Sequence, residues 1–146
     1  MHHSLSEGIS LHIEQIEDSV CTDSKWLGFI IEQLISNAVK YSKDGGSVRI
    51  YTLHGSDGIK KNSKDDSLQL VIEDTGIGIN EEDIPRIMER GFTGYNGRLD
   101  RKSSGIGLYL CRKAADRLGF VITFDASYKN GTRVVIDMTQ RYTKHE

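Results

Sequence analysis

The chain of 146 residues is poor in several features that mark specialised protein classes. Its two cysteines, Cys21 and Cys111, form no ligand-spaced cluster with the five histidines, so we expect each to be a buried or idle reduced thiol rather than part of a zinc site or a disulfide. No apolar run approaches the roughly 20 residues that span a bilayer, and no signal peptide opens the chain. A net charge of -2 leaves no basic surface for nucleic acid or for an anionic membrane.

What remains is the composition of a soluble globular domain, with 37% hydrophobic and 27% charged residues and no internal repeat. Residues 1–8 begin with Met1-His2-His3-Ser4, which resembles the remnant of a tag or linker. We therefore predict one domain over residues 9–140, followed by a tail over residues 141–146.

Apolar spacing predicts strands mixed with helices along the chain. The predicted strands span residues 9–13, 19–21, 48–52, 68–73, 121–125 and 132–138. The predicted helices span residues 26–41, 81–89 and 107–118, and the long segments 54–67 and 91–104 are expected to be loops. Strands that pair through hairpins at both ends favour an α+β sandwich, with one mixed sheet whose helices cover a single face.

The first candidate site lies on the helix over residues 26–41. Gln33, Asn37, Lys40 and Tyr41 follow one another at three- and four-residue spacings, so they form one polar stripe. An amide oxygen suits a hard cation such as Mg²⁺, and a lysine one turn later suits a phosphate. The alternative is an ordinary solvated helix face.

The second candidate is Asp74-Thr75-Gly76-Ile77-Gly78-Ile79, directly after a predicted strand. Two glycines at this spacing permit positive φ and allow a ligand to approach the backbone closely. A carboxylate at the end of the strand can accept a hydrogen bond from an exocyclic amine. The alternative is a plain tight turn that Asp74 caps.

The third candidate is Ser103-Ser104-Gly105-Ile106-Gly107-Leu108, where glycines open a helix. Backbone N–H groups at a helix N-terminus bind phosphate well. The segment lacks the third glycine of the dinucleotide fingerprint, and no G-K-[ST] of a Walker A loop occurs in the chain. The alternative is a helix start with permissive glycines.

The order of these three motifs resembles the GHKL ATPase superfamily. Within it, N-A-V-K-Y and P-R-I-M-E-R-G-F, at residues 37–41 and 85–92, resemble the catalytic domain of bacterial sensor histidine kinases. The run F-T-G-Y-N-G-R-L-D-R-K-S-S-G-I-G-L-Y-L-C is similar to the small sensor kinases that partner peptide- and antibiotic-responsive ABC transporters. The resemblance implies the Bergerat ATP-binding fold, a two-layer α/β sandwich, with ATP and Mg²⁺ as ligands.

The resemblance also implies roles for individual residues. Asn37 would hold Mg²⁺, Asp74 would bind the adenine amine, and the Gly131-Thr132 pair would support the adenine pocket. The catalytic group would be Asn37, Lys40 and Arg98, with Arg98 steadying the transferred phosphoryl group. The full set implied to contact ATP is Gln33, Asn37, Lys40, Tyr41, Asp74, Gly76, Gly78, Ile79, Thr93, Arg101, Lys102, Gly105, Ile106, Gly107, Leu108 and Thr132.

Two positions depart from the family pattern. Gln33 stands where ATPase relatives have glutamate, and an amide cannot act as a general base. The neighbouring Glu32 points about 100° away on the helix, so we assign it a structural role. Met88 replaces the usual phenylalanine, an apolar exchange that should be tolerated.

No histidine matches the phosphoacceptor pattern, and His12 sits in a predicted strand, so we interpret it as structural. The chain is therefore expected to bind ATP without phosphorylating itself. The implied partners are the dimerisation and phosphoacceptor domain of a parent kinase, a response regulator and, through the parent, an ABC transporter. The parent is expected to be membrane-anchored with this domain on the cytoplasmic side, and the chain itself to be monomeric. The alternatives are another GHKL ATPase, an anti-sigma serine kinase, or a degenerate regulatory module.

Overall fold

The computed structural model describes residues 2–4, 9–14, 22–42, 45–54, 67–79, 81–89 and 106–139. These residues contain two α-helices, α1 (Ser24–Tyr41) and α2 (Ile106–Leu118), and a 3₁₀ helix over Glu81–Arg86. The strands are β1 (His2–Ser4), β2 (Ser10–Ile13), β3 (Ser47–His54), β4 (Leu68–Asp74), β5 (Val121–Phe124) and β6 (Thr132–Asp137). They form one sheet in the order β1-β2-β3-β4-β6-β5.

Helix α1 begins and ends at polar side chains that satisfy its terminal backbone groups. The Asp23 Oδ1 atom accepts hydrogen bonds from the amides of Lys25 and Trp26, at 3.0 and 3.4 Å. At the other end, Ser42 is extended (φ -74, ψ 149), and its hydroxyl donates to the Ala38 carbonyl at 2.6 Å. The helix between these caps therefore matches the predicted one.

The sheet is mixed because α1 connects two parallel strands, β2 and β3. The other pairs, β1 with β2, β3 with β4, β4 with β6 and β5 with β6, are antiparallel. One face of the sheet packs under both α-helices and holds the hydrophobic core. The core includes Val48, Ile50, Leu70, Ile72, Val134 and Ile136 from the sheet, and Ile30, Leu34, Ala38, Cys111, Ala114, Ala115 and Leu118 from the helices. The predicted two-layer α+β sandwich is confirmed.

Two predicted elements differ from the structure. The short helix predicted over residues 81–89 is a six-residue 3₁₀ helix that contains Pro85, whose missing N–H does not favour a longer α-helix. Residues 2–4, which we excluded from the fold as a tag remnant, form β1 and pair with β2. Their origin as a tag remains a prediction.

Several sequence-based predictions fall outside the described residues. These are the strand at 19–21, Cys21, most of the predicted loops over 54–67 and 91–104, and the tail. Cys111 is a buried free thiol, as predicted, and burial raises its pKa to about 12. Among the described helices, none combines the length and the apolar character needed to cross a membrane.

Candidate functional site

Asp74 ends β4 with a carboxylate that is almost fully buried, at 5% exposure. Its Oδ1 atom accepts two backbone hydrogen bonds, from Gly76 N at 2.8 Å and from Thr132 N at 3.2 Å. Burial raises the pKa of Asp74 to about 6, although both hydrogen bonds act in the opposite direction. A buried carboxylate with this pKa is a candidate functional group, because proteins rarely bury one without a ligand or a partner.

The turn before β6 packs on the Asp74 loop through glycine backbones. A Cβ on Gly131 would lie 1.9 Å from the Asp74 carbonyl oxygen and 2.8 Å from Gly76 N, so no other residue fits there. Gly78 has φ +77, and a Cβ on it would lie 3.2 Å from the Gly131 carbonyl oxygen. Gly78, one of the two glycines predicted in this loop, therefore serves close backbone packing as well as a turn.

Thr75 fastens the same loop to the start of β3. Its Oγ1 atom accepts from Ser47 N at 2.9 Å, and its amide donates to the Ser47 carbonyl at 3.1 Å. The loop that carries Asp74 is thus held by β3 on one side and by β6 on the other. Sequence reasoning missed this role of Thr75.

The α1 stripe lies beside the first turn of α2. A Cβ on Gly107 would lie 2.7 Å from the Gln33 side-chain oxygen, so the two helices touch at this point. Further along, the Cys111 thiol lies 3.9 Å from the Ile30 carbonyl oxygen, in a geometry that lets it donate a weak hydrogen bond. Gln33 and Gly107, predicted from separate motifs, are therefore neighbours.

The other residues of the stripe have environments that suit a ligand. Asn37 lies one turn after Gln33 and is half-buried, and its side chain makes no hydrogen bond within the described residues. Lys40 is exposed on the following turn. Ile106, Gly107 and Leu108 form the half-buried first turn of α2. At such a helix start, the N–H groups of Gly107 and Leu108 have no acceptor within the helix. This arrangement can receive an anion and an associated cation.

Some predicted site residues cannot be placed. Thr93, Arg98, Arg101, Lys102 and Gly105 lie outside the described residues, and for Tyr41 only the backbone, at the end of α1, is described. Ile79 is partly buried and packs against the core. His12 lies in β2, as its alternating pattern predicted.

A cavity of about 550 Å³ opens beside the Asp74 loop. It lies between this loop, the 3₁₀ helix and the β5–β6 turn, and its wall includes Ile77, Ile84 and Phe124. Gly78, Gly131 and Thr132 also line it, so it adjoins the surroundings of Asp74.

Sequence reasoning also missed a set of paired charges on the sheet face opposite the α-helices. Glu73 is buried there between Arg49 and Arg133, which face it from β3 and β6. In the sequence, the position of Glu73 in an apolar strand was a signal that it would pair with a cation. The identity of the partners, however, depends on the register of the neighbouring strands.

The family profile described as histidine kinase-, DNA gyrase B-, and HSP90-like ATPase matches residues 22–141. The sensor protein BceS of Bacillus subtilis is 38% identical over 128 residues, which cover 88% of this chain and 35% of BceS. The sensor protein kinase GraS of Staphylococcus aureus is 38% identical over 134 residues, 91% of this chain and 36% of GraS. The chain thus spans about a third of the length of these curated relatives.

Solved structures agree with this assignment. The mycobacterial sensor histidine kinase MprB superposes with a TM-score of 0.77 at 25% identity, covering 94% of this chain and 86% of that one. The structure of ShkA in complex with AMPPNP gives a TM-score of 0.69 at 17% identity, covering 95% of this chain and 27% of ShkA, which shows a shared fold. The buried aspartate, its glycine-packed turn and the α1 stripe therefore lie in a domain of known type: the chain belongs to the family of histidine kinase-, DNA gyrase B-, and HSP90-like ATPases.

Proposed function

We propose that this chain is the ATP-binding catalytic domain of a sensor histidine kinase. In this proposal it donates the ATP γ-phosphoryl group to a histidine on a separate dimerisation domain. The observation that carries the proposal is the buried Asp74 carboxylate, held by two backbone amides at the end of a central strand. Similarity to BceS and GraS supports a kinase over other members of the family.

Asp74 has the geometry of an acceptor for the adenine amine. Both described hydrogen bonds end on Oδ1, and Oδ2 has no partner among the described residues. Because two backbone amides already donate to Oδ1, a ligand at this carboxylate would have to donate to the other oxygen. Gly76 presents only backbone beside this carboxylate, so no side chain at that position limits the approach of a flat base.

The phosphates would lie between α1 and the start of α2. The first-turn amides of Gly107 and Leu108 suit a phosphate, aided by the helix dipole. Asn37 and Lys40 on α1 would face the same group from the other side. Mg²⁺ fits this donor set if the nucleotide brings most of its ligands, because Asn37 adds one amide oxygen and the described residues contain no cluster of three or more acidic, histidine or cysteine side chains.

The chemistry expected of the whole protein is phosphoryl transfer by positioning and charge neutralisation. The bond from the γ-phosphorus to the bridging oxygen breaks, a bond from phosphorus to an imidazole nitrogen forms, and that imidazole loses a proton. Gln33 offers no general base for water, which argues against steady hydrolysis. Thr93, Arg98, Arg101 and Lys102 are proposed to cover the phosphates, with Arg98 steadying the transferred group.

The proposal extends to the partners and location of the whole protein. A response regulator would take the phosphoryl group from the acceptor histidine. The resemblance to transporter-associated kinases suggests that the parent works with an ABC transporter. The domain would then operate on the cytoplasmic side of the membrane, where ATP is present.

Calorimetric titration tests the proposal directly. ADP and a non-hydrolysable ATP analogue are titrated with and without Mg²⁺ into the unmutated chain and into Asp74→Asn. We expect micromolar-range binding, worth roughly 6–8 kcal/mol, that weakens in the variant because Asn offers the base an amide in place of a carboxylate.

Asp116→Asn is the matched control, because Asp116 is exposed on the outer side of α2. It should bind like the unmutated chain. Absence of nucleotide binding in the unmutated chain would overturn the proposal and favour a regulatory module. Steady release of inorganic phosphate from ATP by the isolated chain would favour an ATPase instead.

A further inference from the structure

A line of alternating charges crosses the sheet face opposite the two described α-helices. Cross-strand register places Glu73 of β4 opposite Arg49 of β3 and opposite Arg133 of β6. Arg133 Nε donates to Glu73 Oε2 at 2.8 Å, and its Nη1 lies 3.2 Å from Asp125 Oδ2. Arg49 approaches Glu73 less closely, at 3.4 Å, and it also pairs with Glu14.

Burial makes Arg133 the main partner of Glu73. The Glu73 side chain is 11% exposed and that of Arg133 is 25% exposed, whereas that of Arg49 is 51% exposed. The Arg133 guanidinium also lies 4.3 Å from the centre of the Tyr128 ring. A buried carboxylate is stable only with such a partner, so Arg133 keeps this part of β4 and β6 in register.

The Glu73–Arg133 pair lies next to Asp74 along the strands, on the opposite face of the sheet. Glu73 and Arg133 are chain neighbours of Asp74 and Thr132, which face each other one position along the same two strands. Because strand side chains alternate, one pair faces the open side and the other the core side. The Thr132 amide that donates to Asp74 belongs to the peptide between Gly131 and Thr132, which comes one residue before Arg133 in the chain.

Arg133 also holds the turn between β5 and β6, which contains Gly131, through contacts with Asp125. Its backbone carbonyl accepts from Asp125 N at 2.9 Å, while its guanidinium reaches the Asp125 carboxylate. Burial opposes the ionisation of Asp125, but hydrogen bonds from Ser127 and Arg133 outweigh it and lower the pKa of this group. One arginine thus joins β4, β6 and the β5–β6 turn.

We propose that Arg133 is a positioning residue for base selection, which keeps the Thr132 amide on Asp74 and so leaves the other carboxylate oxygen aimed at a donor. The inference rests on the proposed function, in which Asp74 binds the amine of adenine. Hypoxanthine carries a carbonyl oxygen where adenine has this amine, so a well-placed carboxylate rejects inosine nucleotides. If the carboxylate loses its Thr132 bond, it can turn, and the discrimination falls.

The test compares ADP with IDP by calorimetry, with Mg²⁺, in the unmutated chain, Arg133→Met and Arg49→Met. The unmutated chain should prefer ADP by more than about tenfold, as expected when one buried polar group is left unpaired. In Arg133→Met we expect ADP affinity to fall by about fivefold to tenfold while IDP affinity stays unchanged. Arg49→Met touches the same glutamate from the side away from Thr132, and it should keep the full preference.

The outcomes separate the two proposals. Equal ADP and IDP affinity in the unmutated chain would overturn adenine recognition by Asp74 itself. An undiminished preference in folded Arg133→Met, or an equal loss for both nucleotides, would overturn the positioning role. If Arg133→Met does not fold, Arg133→Lys keeps a charge beside Glu73 but lacks the planar fork that reaches Asp125. Its preference should then fall by about threefold, and an unchanged preference would again overturn the inference.

Discussion

At the residue scale, the proposed function requires Asp74 to serve both base recognition and folding. The proposed binding of adenine needs a buried, ionised acceptor, yet burial raises the pKa of Asp74 from about 3.8 to about 6. The amides of Gly76 and Thr132 stabilise the ionised form only in part. The unliganded domain therefore holds a charge in an unfavourable place near neutral pH.

This conflict predicts a pH-dependent gain in stability for Asp74→Asn. The pKa of Asp74 is higher in the folded chain than in the unfolded chain. The protonated carboxyl therefore adds its full contribution to the free energy of unfolding below about pH 4, and this contribution is lost as the pH rises through 6. The loss is on the order of 2–3 kcal/mol, and asparagine keeps an oxygen acceptor without the charge. Urea unfolding should show the variant more stable than the unmutated chain at pH 8 and similar to it at pH 4. Equal stability at pH 8 would contradict this expectation.

The residues of the Asp74 loop were predictable because their signal is local. Aspartate and two glycines directly after an apolar strand define a turn within six positions of the chain. The pairing of Glu73 with Arg133 was not predictable, because it joins residues 60 positions apart through a register that no local pattern specifies.

At the scale of the elements, α1 and α2 meet at Gly107, where an added side chain would displace the end of the Gln33 side chain. The Gln33 side-chain oxygen occupies the space that a Cβ would need. Gln33 is half-buried, so displacing it disturbs the packing between the two helices. This contact therefore places the first turn of α2 relative to Asn37.

Gly107→Ala is expected to weaken ADP binding by about twofold to threefold, because the flexible end of the Gln33 side chain must shift to admit the Cβ, while α2 itself tolerates alanine well. Adding Gln33→Ala should restore much of the affinity, because it removes the atom that a Cβ at position 107 would meet. Titration of ADP into the two single variants and the double variant measures this coupling. Unchanged binding in Gly107→Ala, or a double variant weaker than both single variants, would contradict the argument.

Elements with strong periodicity were predicted well, and weakly patterned ones were not. Helix α1 carries apolar residues at helical spacing behind the Asp23 cap, and it was placed within two residues. The segment at Glu81–Arg86 has too few apolar residues to separate a 3₁₀ helix from an α-helix. Strand β1 has no hydrophobic alternation, and only its pairing with β2 reveals it.

At the scale of the molecule, the described surface offers little for self-association. Among the described residues, the large hydrophobic side chains that are clearly exposed are Trp26, Ile77, Leu110 and Val121. They come from α1, the Asp74 loop, α2 and β5, and single exposed apolar residues are normal on monomers.

Sedimentation equilibrium should therefore find a single species near the 16.4 kDa of the chain at micromolar concentrations. ADP with Mg²⁺ should leave this mass unchanged, because the proposed site is built within one chain. A mass near twice this value would contradict the prediction. Such a mass would mean that this domain forms an interface with a second copy of itself.

The groups proposed to hold the nucleotide come from both layers of the sandwich. Asp74 and Thr132 belong to the sheet and Gly131 to the turn before β6, whereas Gln33, Asn37 and Gly107 belong to the helices that cover the sheet. A bound nucleotide would thus contact both the sheet and the helices, and it would add to the contacts that hold the two layers together. Each tenfold excess of nucleotide over its dissociation constant adds about 1.4 kcal/mol to the free energy of unfolding. In a cell the resistance of this domain to unfolding and proteolysis would then follow the concentration of adenine nucleotide. A fall in that concentration would lower the stability of the domain while the site was still mostly occupied, so starvation would shorten the lifetime of the domain before it limited nucleotide binding.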